Sequence, residues 1–162
     1  MTHTSAPSVL PADHPLATPS DLPYGLPDFS AVSDAQLAEA VRAGMAAQRP
    51  EDLVDLENTV RALELSGQLL RRSAAMFFTL VGSDGTDARQ ALAEELSPEL
   101  AAHEDAILLD PRLAARAASI DDGGLTGEDA RLLETLRLRL SLAGADLDEA
   151  ARLRAEAEAL LA

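Results

Sequence analysis

The chain has 162 residues, 47% of them apolar, and a formal charge of -15 from 28 acidic and 13 basic residues. That is enough apolar material for one domain-sized core, but the charge excludes the basic patch that nucleic-acid binding requires. Cysteine is absent, which removes disulfides, thiolate metal sites and cysteine nucleophiles.

Leu and Ala dominate the apolar set, with three Phe, one Tyr and no Trp, so helix is favoured over sheet. All 13 basic residues are Arg. No run of about 18 apolar residues occurs, and the opening MTHTSAPSVLPADHPLATPS lacks the basic and apolar regions of a secretory signal. A soluble, cytoplasmic chain with no membrane partner is the expectation.

Residues 1–32 hold six of the nine prolines, at 7, 11, 15, 19, 23 and 27, and read as an extended leader, loose at its extreme end. Its later part, DLPYGLPDFSAV, carries Leu22, Tyr24, Leu26 and Phe29 and is expected to lie against the helical body. Residues 33–162 form the helical part.

Ser33 and Gln36 have capping-box spacing, and Leu37, Val41 and Met45 follow at intervals of four, with Gly44 on the same face. The helix should end near Arg49-Pro50. An acidic link over 50–57 offers Leu53, Val54 and Leu56 as anchors, and Asn58 or Thr59 as the next cap. Val60, Leu63, Gly67, Leu70, Ala74, Phe77 and Val81 then predict one continuous helix, with Gly67 and Ala74 permitting close approach. GSDGT at 82–86 stops it and caps its successor.

The successor places Ala88, Leu92, Leu96, Leu100, His103 and Ile107 along one side. At Ser97-Pro98 it either kinks or gives way to a second helix capped by Ser97. Asp110-Pro111 opens a short helix to about Ile120, and DDGG at 121–124 is a surface turn. Thr126 and Asp129 approximate a capping box before Ala130, Leu133, Leu136 or Arg137, and Leu140. Asp146 caps a last helix carrying Ala150, Leu153, Ala157 and Leu160. The AGAD turn between these two suggests antiparallel packing. The whole reads as an all-α, antiparallel bundle-like array of about five to seven helices without a sheet. The final helix runs to Ala162 without a stop signal, as in a chain truncated inside a larger protein.

The chemical inventory is short. His occurs only at 3, 14 and 103. A His-Glu-x-x-His zinc motif needs two imidazoles one helical turn apart with the Glu beside them, whereas His103-Glu104-Asp105-Ala106-Ile107 has Ile in place of the second ligand. His103 therefore reads as a structural histidine. Glu94-Glu95 reads as a solvent-facing pair rather than an acid-base couple. GSDGT lacks the spacing and lysine of a phosphate loop, and Asp121-Asp122-Gly123-Gly124 lacks the alternating ligands of a calcium loop. Ser66 and Ser73 have no histidine at a recognisable spacing. Arg61, Arg71 and Arg72 lie off the apolar stripe, and the Arg71-Arg72 pair either forms ordinary ion pairs with neighbouring Glu or meets an acidic partner surface. No catalytic, cofactor-binding or metal-ligating residue is assigned.

Three phrases in order carry a resemblance: LPYGLPDF; DLENTVRALELSGQLLRRSAAMFFTL at 55–80; and ELSPELAAHEDAILLDPRLAAR at 95–116. With Glu57-Asn58-Thr59, Leu63-Glu64-x-Ser66-Gly67, Pro98-x-Leu100-x-x-His103-x-Asp105 and Leu109-x-Pro111, the sequence over about 20–162 resembles the amino-terminal region of the thimet oligopeptidase family of zinc metallopeptidases. The likeness is greatest to its bacterial peptidyl-dipeptidase and oligopeptidase A branch. Leu56 and Ala114 depart from the Phe often found there.

The resemblance implies a helical zinc peptidase of several hundred residues that hydrolyses short peptides in a deep channel, using zinc-activated water. Its metal motif lies beyond the matched part, so none of its functional residues maps here. This chain is then expected to be inactive alone, a scaffold segment in the channel wall. Zinc is a cofactor of the full-length enzyme and not of this chain, and the partner is the missing catalytic domain. The alternative is a free-standing interaction or regulatory module that self-associates through exposed apolar surface.

Overall fold

The computed structural model describes residues 9–49, 59–125 and 127–145. The link anchors Leu53, Val54 and Leu56, the caps Asn58 and Thr126, and the final helix after Asp146 lie outside them. Among the described residues there are six α-helices and no strand: α1 (Asp34–Ala47), α2 (Thr59–Ser66), α3 (Gln68–Ser83), α4 (Asp87–Leu108), α5 (Pro111–Ser119) and α6 (Gly127–Ala143). The chain divides into two compact units, Met1–Gln48 with Glu64–Ala101, and Arg49–Leu63 with Ala102–Ala162.

Helix α1 starts where the side chains dictate. The Ser33 hydroxyl accepts from the Gln36 N–H at 3.3 Å, and the Gln36 side chain accepts from the Ser33 N–H at 3.0 Å, satisfying two otherwise orphaned donors. The intervals of four then put Leu37 and Val41 at 0% exposure, with Met45 packed at the edge of the same cluster. Their partner is α3. A Cβ at Gly44 would lie 2.8 Å from the Leu70 Cα and backbone N, so only glycine lets the two backbones come this near.

The stripe from Val60 to Val81 does not form one helix. Gly67 takes φ -80° and ψ 2°, a bridge conformation that interrupts the helical ladder and separates α2 from α3. The stripe divides there as well. Leu70, Ala74, Phe77 and Val81 join the first core, whereas Val60 and Leu63 join the second. A Cβ at Gly67 would meet the Gln48 amide at 2.8 Å, so the close approach expected there is real and falls at the break. Ser73 is fully buried, and its hydroxyl is satisfied by donating to the Leu69 carbonyl at 2.8 Å.

Helix α3 ends at Ser83, and the Thr86 hydroxyl accepts from the Arg89 N–H at 3.2 Å at the start of α4. Arg89 reaches back to α1, its Nε donating to Asp34 at 3.0 Å while a terminal nitrogen pairs with Asp84. Further along, Arg42 of α1 grips Glu99 of α4 with two nitrogens at 2.9 and 2.7 Å. Between these clamps Ala93 and Leu96 enter the core. Ala88 is exposed. Of the two expectations for Ser97-Pro98, a kink or a second helix, the second helix does not form: α4 runs through Pro98, and the Ser97 hydroxyl donates to the Ala93 carbonyl at 2.7 Å instead of capping a new helix.

In the second unit, Asp110 caps α5 by accepting from the Arg112 N–H at 2.8 Å, with Pro111 in the first turn, where its missing donor costs nothing. Leu113 and Ala117 are buried in a core shared with Leu63, Ile107, Leu136 and Leu140. Of the two candidates at 136 and 137, Leu136 is therefore the buried one, alongside Leu133 and Leu140. Arg137 instead donates to the Ala117 and Ile120 carbonyls at 3.1 and 2.7 Å and pairs with Asp122 at 2.8 Å, which serves the open carbonyl end of α5.

DDGG is an exposed turn held by the Gly123 N–H donating to Asp121 at 3.1 Å. Helix α6 closes with Gly144 at φ 83°, its N–H donating to the Ser141 carbonyl and that of Ala145 to the Leu140 carbonyl, both at 3.0 Å, a Schellman closure in which glycine supplies the left-handed turn.

The leader departs from expectation. Its earlier part packs and its later part does not: Leu10 and Leu16 are 5% and 7% exposed within the first core, while Leu22, Tyr24, Leu26 and Phe29 all face solvent. Pro23–Gly25 forms a single 3-10 turn with Tyr24 at φ 63°, a left-handed conformation that a non-glycine residue adopts rarely. Prolines at 23 and 27 fix φ on either side of this turn.

Candidate functional site

The titratable groups singled out in the sequence are dispersed over the helices. His103 lies half-buried on α4, and burial lowers its pKa against a smaller opposing effect of the Glu104 charge. Burial thus biases the ring towards the neutral form, and Ile107 stands where a second histidine ligand would be needed one turn on. Glu94 and Glu95 are exposed, and Glu95 comes within 3.7 Å of Arg42. Among the described residues no group of three or more His, Cys, Asp or Glu side chains could hold a metal ion. These residues therefore do not fit a zinc site.

The paired arginines separate in role. Arg71 bonds the Glu64 carboxylate at 3.0 Å and the Glu64 carbonyl at 2.9 Å, the ordinary local pairing. Arg72 turns the other way and donates to the Leu16 carbonyl at 2.5 Å. Its Nε is buried without a partner, and desolvation pushes its pKa down. Arg61 pairs with Asp129 of α6, and that pairing raises its pKa.

Sequence reasoning passed over His14, which is 8% exposed. Its Nδ1 accepts from the Leu16 N–H at 3.0 Å, and its Nε2 donates to the Gln36 carbonyl at 3.2 Å. The only signal for this was the pair of leucines, 10 and 16, on either side of a lone imidazole.

In the second unit a depression lined by Asp122, Ala130, Arg131, Glu134 and Arg137 has its charges matched internally, since Arg131 lies 3.5 Å from Glu134 and Arg137 bonds Asp122. It offers a ligand no unpaired group. No helix among the described residues is long and apolar enough to cross a membrane.

The most informative property is thus the sequence of the helices, not a constellation of reactive groups. The chain is 34% identical over 149 residues to the dipeptidyl carboxypeptidase of Escherichia coli (strain K12), a match covering 85% of this chain and 22% of that protein. It is 35% identical over 148 residues to the dipeptidyl carboxypeptidase of Salmonella typhimurium (strain LT2), covering 84% of the chain and 22% of the relative. The chain is homologous to bacterial dipeptidyl carboxypeptidases. It spans about a fifth of the length of these curated relatives, and no family model matches it. The homology extends over a domain-sized stretch, and the described residues contain no evident catalytic or metal-binding group.

Proposed function

We propose that this chain is a non-catalytic helical amino-terminal segment of a zinc-dependent peptidyl-dipeptidase. In that role it forms part of the wall of a channel that admits short peptides and excludes folded proteins. The observation carrying this reading is the asymmetry of the match, which covers 85% of this chain but 22% of the relative. Its partner is the catalytic remainder, and zinc belongs to that remainder. Exposed Leu22, Tyr24, Leu26 and Phe29 suit a surface that such a remainder covers. They equally favour the second reading, a free-standing interaction module.

Two measurements separate the readings. The 162-residue chain, assayed with and without added zinc on blocked short peptides, should release no carboxy-terminal dipeptide; zinc-dependent release by this chain would overturn the non-catalytic assignment. Antibody capture of the native product from its own cells, followed by intact-mass determination, should give a mass several times 17.0 kDa. A product of 17.0 kDa would instead establish the free-standing module.

A further inference from the structure

We infer that the segment from Leu22 to Phe29 is the element that docks this chain onto the catalytic remainder, with Tyr24 seated in an apolar pocket bordered by cationic side chains. The inference rests on the reading of the chain as a peptidase segment. Leu22, Leu26 and Phe29 are 42%, 56% and 39% exposed, and Tyr24 is 100% exposed. Earlier in the leader, Leu10 and Leu16 do reach the first core, so the exposure belongs to this segment and not to the leader as a whole.

The backbone at Tyr24 argues for a contact outside the chain. The Gly25 N–H donates to the Leu22 carbonyl at 2.9 Å, closing a turn with Pro23 second and Tyr24 third. Tyr24 has φ 63° and ψ 16°, and a third turn position with positive φ ordinarily goes to glycine or asparagine. Tyrosine adopts that conformation at a cost, and a fully exposed ring gains nothing within the chain to offset it. Burial in a partner's pocket supplies the offset, and tyrosine is among the residues that concentrate binding energy when so seated.

Charge decides between occupants. No Arg or Lys precedes Arg42. Asp21 and Asp28 flank the apolar side chains, with Asp28 accepting from the Ser30 N–H at 3.0 Å and the Ser30 hydroxyl at 2.6 Å. A second copy would set this acidic face against itself, because a two-fold interface pairs a patch with its own image, and like charges opposed across an interface are unfavourable. The remainder presents a different surface, free to bring cations to the rim. It is also extensive, since the match takes in 22% of each relative.

The test is nitration of Tyr24 by tetranitromethane, read by peptide mass mapping, in the 162-residue chain and in the native product captured from its own cells. In a product several times heavier than 17.0 kDa, Tyr24 should react at least about tenfold more slowly, the effect expected of seating one binding hot spot. Equal rates in such a product overturn the docking and leave the peptidase-segment reading standing. A native product of 17.0 kDa overturns both. A Tyr24 rate that falls as the concentration of the isolated chain rises assigns the face to a second copy and overturns the choice of occupant. Tyr24→Gly gives a complementary readout. It should leave the urea midpoint of the isolated chain unchanged or raised, since glycine accepts the turn and no packing is lost. In the full-length product, amide exchange over residues 22–29 should quicken by at least about tenfold. A lowered midpoint in the isolated chain, or unchanged exchange in the full-length product, overturns the proposal.

Discussion

At the residue scale, the energetics are governed by polar groups whose partners are local. Asp110 illustrates this. Its carboxylate caps α5 and pairs with Arg112 at 2.7 Å, and the Arg112 side chain is the first cause of its lowered pKa. A carboxylate whose folded pKa lies below its unfolded value contributes stability that is fully present above the unfolded pKa and lost as pH falls through the folded one. Asp110→Ala should cost about 1 kcal/mol at neutral pH, as loss of an N-cap does. Asp110→Asn keeps an oxygen for the Arg112 N–H and should cost less. In urea unfolding series between about pH 6 and about pH 2, the wild type should converge on Asp110→Asn at the acid end. A difference that persists at the lowest pH would show that the ion pair is not its source. Capping signals of this kind were legible in the sequence at Ser33-Gln36 and at Asp110-Pro111, because each needs only residues two or three positions apart. The roles of His14 and Arg72 were not legible, since their partners stand 22 and 56 positions away.

At the scale of elements, glycine decides how helices break and approach. Gly67 sits in a stripe whose spacing alone argues for one helix, yet the chain turns there and sends the two halves of the stripe to different cores. Helix periodicity records which residues are apolar together and carries no information on which core receives them. Gly44 has the opposite character. It lies within α1 at an ordinary helical position, where alanine would be preferred by about 1 kcal/mol in an isolated helix. Because its Cβ would meet the backbone of Leu70 and not a movable side-chain end, Gly44→Ala should destabilise the protein by about 1–3 kcal/mol, measured as a lowered urea midpoint at unchanged slope. A neutral or stabilising outcome would mean that α1 and α3 separate without cost. Pro98 teaches a related lesson: a proline that ordinarily argues for a helix boundary is carried inside α4, where packing of Ala93 and Leu96 on one side and Ile107 on the other outweighs one lost ladder bond.

At the scale of the whole molecule, charge and connectivity set the behaviour. With 28 acidic residues against 13 arginines, the folded chain carries a net repulsion that its exposed ion pairs offset only in part, each being worth little in water. Raising sodium chloride from about 0.02 M to about 0.5 M shortens the screening length from about 20 Å to about 4 Å, so the thermal midpoint should rise. A fall would show that the Arg42, Arg61 and Arg89 pairs contribute more than the repulsion removed.

The sequence by itself determined the all-α class, the caps, most core positions and the kinship with bacterial dipeptidyl carboxypeptidases. All of these rest on spacings within a helical turn or two, or on the linear order of short motifs. Only the tertiary structure decided that the described residues form two cores, that α3 separates from α2 at Gly67, that Leu10 and Leu16 of the leader pack while Leu22, Tyr24, Leu26 and Phe29 face solvent, and that one leucine of that leader is held from both sides. Those outcomes depend on which surfaces meet across tens of residues, where the free energy comes from burial and shape complementarity that no local pattern encodes.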